Sequence, residues 1–486
     1  MTAASRVGEA RSRAGVDGGC GHQGPGVRVV FFQQFYLESL GHASYLVGDE
    51  RTGKALVFDP RRDVDVYLEA ARAIGVRIAY AADSHGHNDY LSGLTELRER
   101  AGAELWGSAV AELGYPHRAL RDGEVVEVGD VGVEVWHTPG HTPEHISLVL
   151  YDRAVSADVP VAVLSGGSLL VGDVARPDLL GGADQVREAA RALRETVDRL
   201  LTLPDHVLVY PTHVAGSLCG GRIGRRLSTT VGYERLTNPA IGRPVALGEL
   251  PAVPPYWRRM RPQNLAGVAP LGVVPEPPAL EVGEFDRRRL AGAFVLDTRA
   301  PEAFGGGHIP GALNVGLGPA FATWAGTVLP EAARVLLVLD RAGDLWEAVW
   351  QLLRIGYPPP QGWLAGGMAA WRISGRPVAF LPQITVEELY GRFDRGEADL
   401  LDVRQPAEWS GGHVPGAVHV TGAELAERMD EVPGSRPLAV ICSSGYRSSV
   451  AASLLAHRGR TGVHNVTGGM AAWTAAGLPV VTPGAR

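Results

Sequence analysis

Three short blocks recur in the second half of the chain, in one order and at nearly one spacing, and this repeat limits the fold more than any other feature. Leu296-Asp-Thr-Arg299 returns as Leu401-Asp-Val-Arg404, 105 residues on. His308-Ile-Pro-Gly-Ala312 returns as His413-Val-Pro-Gly-Ala417 at the same offset. Gly366-Gly-Met-Ala-Ala-Trp371 returns as Gly468-Gly-Met-Ala-Ala-Trp473, now at 102. A duplicated unit of about 100 residues predicts tandem domains rather than a solenoid, whose repeats are shorter. Each copy opens on a short apolar run (294–297; 400–403), turns into a second (334–339; 437–441) and passes into a helical stretch. Apolar strands alternating with helices imply a parallel α/β sheet.

The proline-rich stretch 250–278 sets these copies apart from what precedes them, and 376–383 reads as a hinge between them. The expected organisation is a tail 1–26, a first domain 27–249, a linker 250–278, and copies 279–377 and 378–486. Three domains is also the natural number for 486 residues. A net charge of −7 invites neither nucleic acid nor an anionic membrane, and no apolar run reaches transmembrane length. Cys20, Cys219 and Cys442 are too few and too scattered for a disulfide framework, which fits a reducing, cytoplasmic setting. Glycine-rich residues 1–26 hold no signal-like apolar segment and read as disordered.

The first domain alternates strands with helices, and each of its histidine clusters follows a strand. These are Ser84-His-Gly-His-Asn-Asp-Tyr90, Thr138-Pro-Gly-His-Thr142, Val171-Gly-Asp173 and Tyr210-Pro-Thr-His213. Side chains on such loops meet at one sheet edge, where layered α/β folds place their sites. Neutral imidazole and carboxylate together suit Zn, Fe or Mn.

His85, His87 and Asp89, followed by His141, Asp173 and His213, resemble the signature of the metallo-β-lactamase superfamily. One position departs: Tyr90 stands where its dinuclear hydrolases carry a histidine for their second metal. The segments Gly172-Asp-Val-Ala-Arg-Pro-Asp-Leu179 and Thr212-His-Val-Ala-Gly-Ser-Leu-Cys-Gly-Gly221 are similar to the persulfide dioxygenases within that superfamily. The resemblance implies one Fe(II) per chain on His85, His141 and Asp173, with zinc as the alternative ion in purified protein. His87, Asp89, Tyr90, His213, Cys219 and Arg176 would then surround the metal or its substrate. It also implies a glutathione- or coenzyme A-type persulfide and O2 as substrates, sulfite and thiol as products, and a homo-oligomer as the assembly. A dinuclear thioester hydrolase, against which Tyr90 speaks, and a non-oxygenase sulfur-carrier module are the alternatives.

The last copy carries Val440-Ile-Cys-Ser-Ser-Gly-Tyr-Arg-Ser448 after an apolar strand and before a helical run. A cysteine there faces converging backbone N–H groups and a helix dipole, which stabilise a thiolate and then an anionic persulfide. Arg447 adds positive charge. This loop resembles that of the rhodaneses, which implies that Cys442 exchanges sulfane sulfur between thiosulfate and sulfite, cradled by Ser443, Ser444, Gly445, Tyr446 and Ser448. The middle copy has Asp340 for Cys442 and Leu345 for Arg447, so it is expected to be inactive. The whole chain is thus expected to be α/β, an αββα sandwich of metallo-β-lactamase type followed by two rhodanese-like parallel α/β domains.

Overall fold

The computed structural model describes residues 30–245 and 247–482; the stretch 1–26, expected as a tail, lies with Cys20 outside the described residues. Apolar strands of the first half stack as two six-stranded sheets. One runs in chain order from Val30–Leu37 through His42–Asp49, Lys54–Phe58, Arg77–Ala82 and Glu104–Ser108 to Arg118–Leu120. The other orders Thr229–Thr230, Leu208–Pro211, Pro160–Gly166, Ile146–Asp152, Val131–His137 and Val125–Val128. Tyr45, Val47, Leu56 and Phe58 of the first sheet bury against Val133, Leu148, Leu150 and Leu164 of the second. Side chains alternate between faces along a strand, so Leu46, Ala55 and Val57 point outward onto helices Asp65–Ile74 and Leu94–Ala101. On the far side, Val149, Val163 and Val209 meet helix Ala183–Leu200. The layers are therefore αββα.

Each repeat forms a five-stranded sheet with the same strand order. In the first it is Ala279–Leu280, Gly362–Leu364, Val335–Val338, Phe294–Asp297 and Leu313–Asn314, all parallel. In the second it is Gln383–Ile384, Val463–Val466, Leu438–Ile441, Asp399–Asp402 and Val418–His419, likewise parallel. The repeated Asp-x-Arg is a buried clamp, Arg299 on Asp297 at 2.6 Å and Arg404 on Asp402 at 2.7 Å. The repeated tryptophans, Trp371 and Trp473, each donate to a proline carbonyl at 2.9 Å, Pro377 and Pro479.

The stretch expected as a linker is not extended. It contains the ten-residue helix Trp257–Ala266, with Trp257, Met260 and Asn264 buried. Proline count signals a break, but here two large apolar side chains hold the segment down. Tyr256 donates to the Asp89 carbonyl at 3.0 Å, and Asn264 donates to the carbonyls of His87 and Tyr90 at 2.9 and 2.8 Å. This helix is thus a wall of the histidine loop.

One hydrophobic cluster runs from Tyr90, Leu91 and Met260 through the middle copy to Val450 and Leu454 of the last. Within it the Arg354 guanidinium grips Asp63 of the first domain by two hydrogen bonds, 2.9 and 2.6 Å. Burial alone would push the Asp63 carboxyl up, but Arg354 holds it below its ordinary value. Removing one partner of an isolated buried pair costs about 3–5 kcal/mol, and Arg61, 3.1 Å from Asp63, reduces that cost here by keeping part of the charge compensated. Arg354→Ala is expected to lower the urea midpoint accordingly. Because the folded pKa of Asp63 is depressed, that difference is full above its unfolded pKa and fades as pH falls through the folded one. A variant as stable as the parent at neutral pH would refute the clamp.

Candidate functional site

Strand Arg77–Ala82 delivers the loop that carries His85, strand Val131–His137 the loop with His141, and strand Leu208–Pro211 ends two residues before His213. One ring nitrogen of each lies within 4.8 Å of the others, and all three residues are buried. The Nε2 atoms of His85, His141 and His213 have no hydrogen-bond partner. Three buried, unpaired nitrogens in convergence are costly unless a cation joins them. The opposite edges of the rings are fixed: His141 Nδ1–H donates to the Arg176 carbonyl at 2.8 Å, and His85 Nδ1 meets the Ser84 hydroxyl at 2.8 Å. The carbonyl fixes the His141 tautomer that leaves its Nε2 as ligand, and the Ser84 hydroxyl orients the His85 ring. Burial pushes His85 and His213 well below the imidazole range and His141 to about 4, so all three are neutral, as metal binding needs. Gly167 backs the cluster. A Cβ there would lie 2.6 Å from His141 Cδ2 and 3.1 Å from His213 Cδ2, so only glycine leaves the rings room.

Asp173, expected as the third ligand, is not among these three converging donors. Its Oδ2 accepts the Arg222 amide at 2.6 Å and its Oδ1 the Val174 amide at 2.9 Å. The short hairpin pairs Leu170 with Asp173, and the three donors that converge are those of His85, His141 and His213. Asp173→Ala is therefore expected to keep its metal in elemental analysis, and metal loss would return the carboxylate to the ligand set.

The other expected residues ring this cluster. His87 Nε2–H donates to Asp59 at 3.0 Å; burial opposes its charge, but Asp59 and Asp83 push it up to about 9. Tyr90 is fully buried, stacks on His87 at 4.5 Å and reaches the Asp59 carbonyl at 3.4 Å. Arg176 spends its fork on Asp178 and on the carbonyls of Leu218 and Pro251. Asp89 and Cys219 are buried beside His213.

In the last copy, strand Leu438–Ile441 ends at Cys442, which is fully buried. Its Sγ accepts the Gly445 amide at 3.1 Å and the Ser448 hydroxyl at 3.4 Å, and helix Tyr446–His457 begins just beyond. Gly469 must be glycine, because a Cβ at its φ of +54° would sit 2.3 Å from the Cys442 carbonyl. That carbonyl instead accepts the Met470 amide at 2.8 Å. Ser443 is half-buried and Ser444 exposed on the loop. The Tyr446 hydroxyl points away from the cradle and donates to Gly316 of the middle copy at 2.8 Å.

A family model for the rhodanese-like domain matches residues 282–374 and 385–476. A solved structure of a metallo-beta-lactamase from Staphylococcus aureus is 30% identical, with a TM-score of 0.62 over 69% of this chain and 98% of its own. The chain belongs to the metallo-β-lactamase-fold family, with two rhodanese-like domains in tandem. The fusion is also similar to the mitochondrial persulfide dioxygenase ETHE1 of Bos taurus, at 28% identity over 45% of this chain and 79% of that protein. An uncharacterized protein of Aquifex aeolicus is 30% identical over 40% of this chain and 90% of its own.

Sequence reasoning missed one residue that braces the fusion's cysteine loop, Glu408 on the helix Pro406–Ser410. Both guanidinium arms of Arg447 are held by Glu408, at 2.6 and 2.7 Å. Burial works against the Arg447 charge, but Glu408, and with it the Cys442 sulfur, makes it harder to lose. The signal was in the repeat: at its offset the middle copy has Ala303 for Glu408 and Leu345 for Arg447, so both charges are gone together. Arg447→Leu alone is expected to destabilise the last domain more than Arg447→Leu with Glu408→Ala, by about 1–3 kcal/mol of coupling in a double-mutant cycle. Additive losses would rule out the pairing.

Proposed function

We propose that this chain is an enzyme of sulfur metabolism whose first domain oxidises a low-molecular-weight persulfide with O2 while its last domain moves sulfane sulfur at Cys442. The observation that carries the reading is the set of three neutral imidazoles with unpartnered Nε2 atoms in a domain akin to persulfide dioxygenases, on one chain with a cysteine cradled by N–H and O–H donors. Iron held by His85, His141 and His213 would supply the redox activation of O2 that no side chain provides. The net reaction is persulfide plus O2 plus water giving thiol, sulfite and two protons. The Arg176 carbonyl holds the His141 ring in its ligand tautomer, and the Ser84 hydroxyl orients the His85 ring. The ring of Tyr90 fills the place beside His87.

At Cys442 the thiolate attacks the outer sulfur of thiosulfate. A new S–S bond forms, the old one breaks, and sulfite leaves with its electron pair. The terminal sulfur, now anionic, inherits the Gly445 and Ser448 donors. Sulfite attacking that persulfide runs the step in reverse and gives thiosulfate. Covalent linkage raises the effective concentration of one domain's product at the other.

Oxygen uptake with glutathione persulfide and coenzyme A persulfide tests the reading side by side. Uptake with either, matched by sulfite release, supports it; thioester cleavage without uptake refutes it. Among the described residues no helix is long and apolar enough to cross a membrane.

A further inference from the structure

The middle copy has neither the cysteine nor the arginine of the last, yet its edge strand is built into the working end of its neighbour. Leu313–Asn314 is the outermost strand of the middle sheet, and an edge strand leaves backbone groups without a partner in its own sheet. The buried Asn314 amide finds its acceptor in the other domain, the Ser453 hydroxyl at 2.9 Å. The side chain is equally committed. Its Nδ2 donates to the carbonyls of Asp297 and Arg299 at 3.1 and 2.9 Å, and its Oδ1 accepts the Ser449 hydroxyl at 2.6 Å. At the matching place in the last copy, 105 residues on, stands His419, whose ring is tied to the Arg404 carbonyl at 2.8 Å. Asparagine keeps that tie, to Arg299, and adds an oxygen for the neighbouring domain.

Ser449 and Ser453 share one face of helix Tyr446–His457 with Tyr446 and His457, at spacings of three and four residues. The Tyr446 hydroxyl donates to the Gly316 carbonyl at 2.8 Å, and His457 Nδ1–H donates to that of Gly311 at 2.7 Å. The whole stripe therefore lies on the middle copy. Gly445 and Ser448, interleaved with it at the start of the helix, are the donors to the Cys442 sulfur. One turn thus aims two residues at the sulfur and is anchored across the domain boundary by two others. We propose that Asn314 is a positioning residue for Cys442. It holds the first turn of that helix so that the Gly445 N–H and Ser448 O–H meet the charge developing on the sulfur. Such a role rests on Cys442 being the sulfur carrier proposed for the last domain. Donors fixed in advance stabilise developing charge best, and a misplacement of about 1 Å caused from a distance can cost about 100-fold.

The test compares full-length Asn314→Ala and Ser449→Ala with the parent in steady-state thiosulfate turnover, under conditions where all are folded by circular dichroism. In both, kcat and kcat/KM are expected to fall together by about tenfold to 100-fold, because the lost alignment matters only as charge develops on the sulfur. In a Ser448→Ala background the Asn314→Ala loss should shrink to about threefold or less, since that turn has one sulfur donor fewer to misalign. Ser449→Ala deletes a single hydroxyl, so it keeps the question open to test even if Asn314→Ala does not fold. Parental kcat in Ser449→Ala, a rise in KM alone, or an Asn314→Ala loss undiminished in the Ser448→Ala background overturns the proposal. A parent that moves no sulfur refutes the sulfur-carrier reading itself. Amide hydrogen exchange over residues 443–450 then decides the positioning without any substrate: faster exchange in Ser449→Ala supports it, and unchanged exchange overturns it.

Discussion

Cys442→Ser is expected to reduce thiosulfate-dependent sulfur transfer by about 10³-fold or more, since the nucleophile carries the covalent step. Persulfide-dependent oxygen uptake by the same variant should stay within about twofold of the parent, because the two sites share no side chain and additivity holds between distant, independent groups. The structure gives reasons for both halves. Serine retains the Gly445 and Ser448 neighbourhood, so the loop keeps its shape, but its hydroxyl cannot hold sulfane sulfur. The middle copy cannot substitute. Asp340 is exposed and Leu345 is buried where the last copy has Arg447. Equal loss of both activities would mean that the domains are coupled through Cys442.

The mirror-image experiment has the second large effect. His141→Ala removes one of three converging nitrogens and empties the place held by the Arg176 carbonyl. Bound metal should fall by about 100-fold in affinity, the upper end of what loss of even an outer partner costs, and oxygen uptake should fall with it. Thiosulfate turnover at Cys442 should be unchanged. Because His141 is neutral and buried, alanine leaves no unpaired charge, so the fold should survive and the loss can be assigned to the metal. A variant that keeps both metal and uptake would remove His141 from the centre.

Much of this was legible in the sequence where the chemistry is local. The cysteine loop is a contiguous strand–turn–helix, and two of the three repeated blocks make contacts that are local in sequence. The Asp-x-Arg clamp spans two residues and the tryptophan-to-proline bond six. The histidines were legible as a set because each follows a strand. What the sequence hid depends on direction and distance. Asp173 sits in a strand-end motif like the others, yet its carboxylate accepts backbone amides and is not among the converging donors. His213 joins His85 and His141 from 128 and 72 residues away through the stacking of two sheets. Helix Trp257–Ala266 was masked by its prolines, and its role became visible only through Asn264 on the carbonyls of His87 and Tyr90. Glu408 needed a partner to be noticed, and the repeat supplied it by losing both charges at once.

The most direct measurement is an oxygen-electrode assay of full-length Cys442→Ser protein loaded with iron under anaerobic conditions and then given persulfide. We expect one O2 consumed per persulfide, with sulfite appearing in equal amount and no uptake by the His85→Ala variant. Iron-loaded protein that consumes no oxygen with any low-molecular-weight persulfide would contradict the dioxygenase reading.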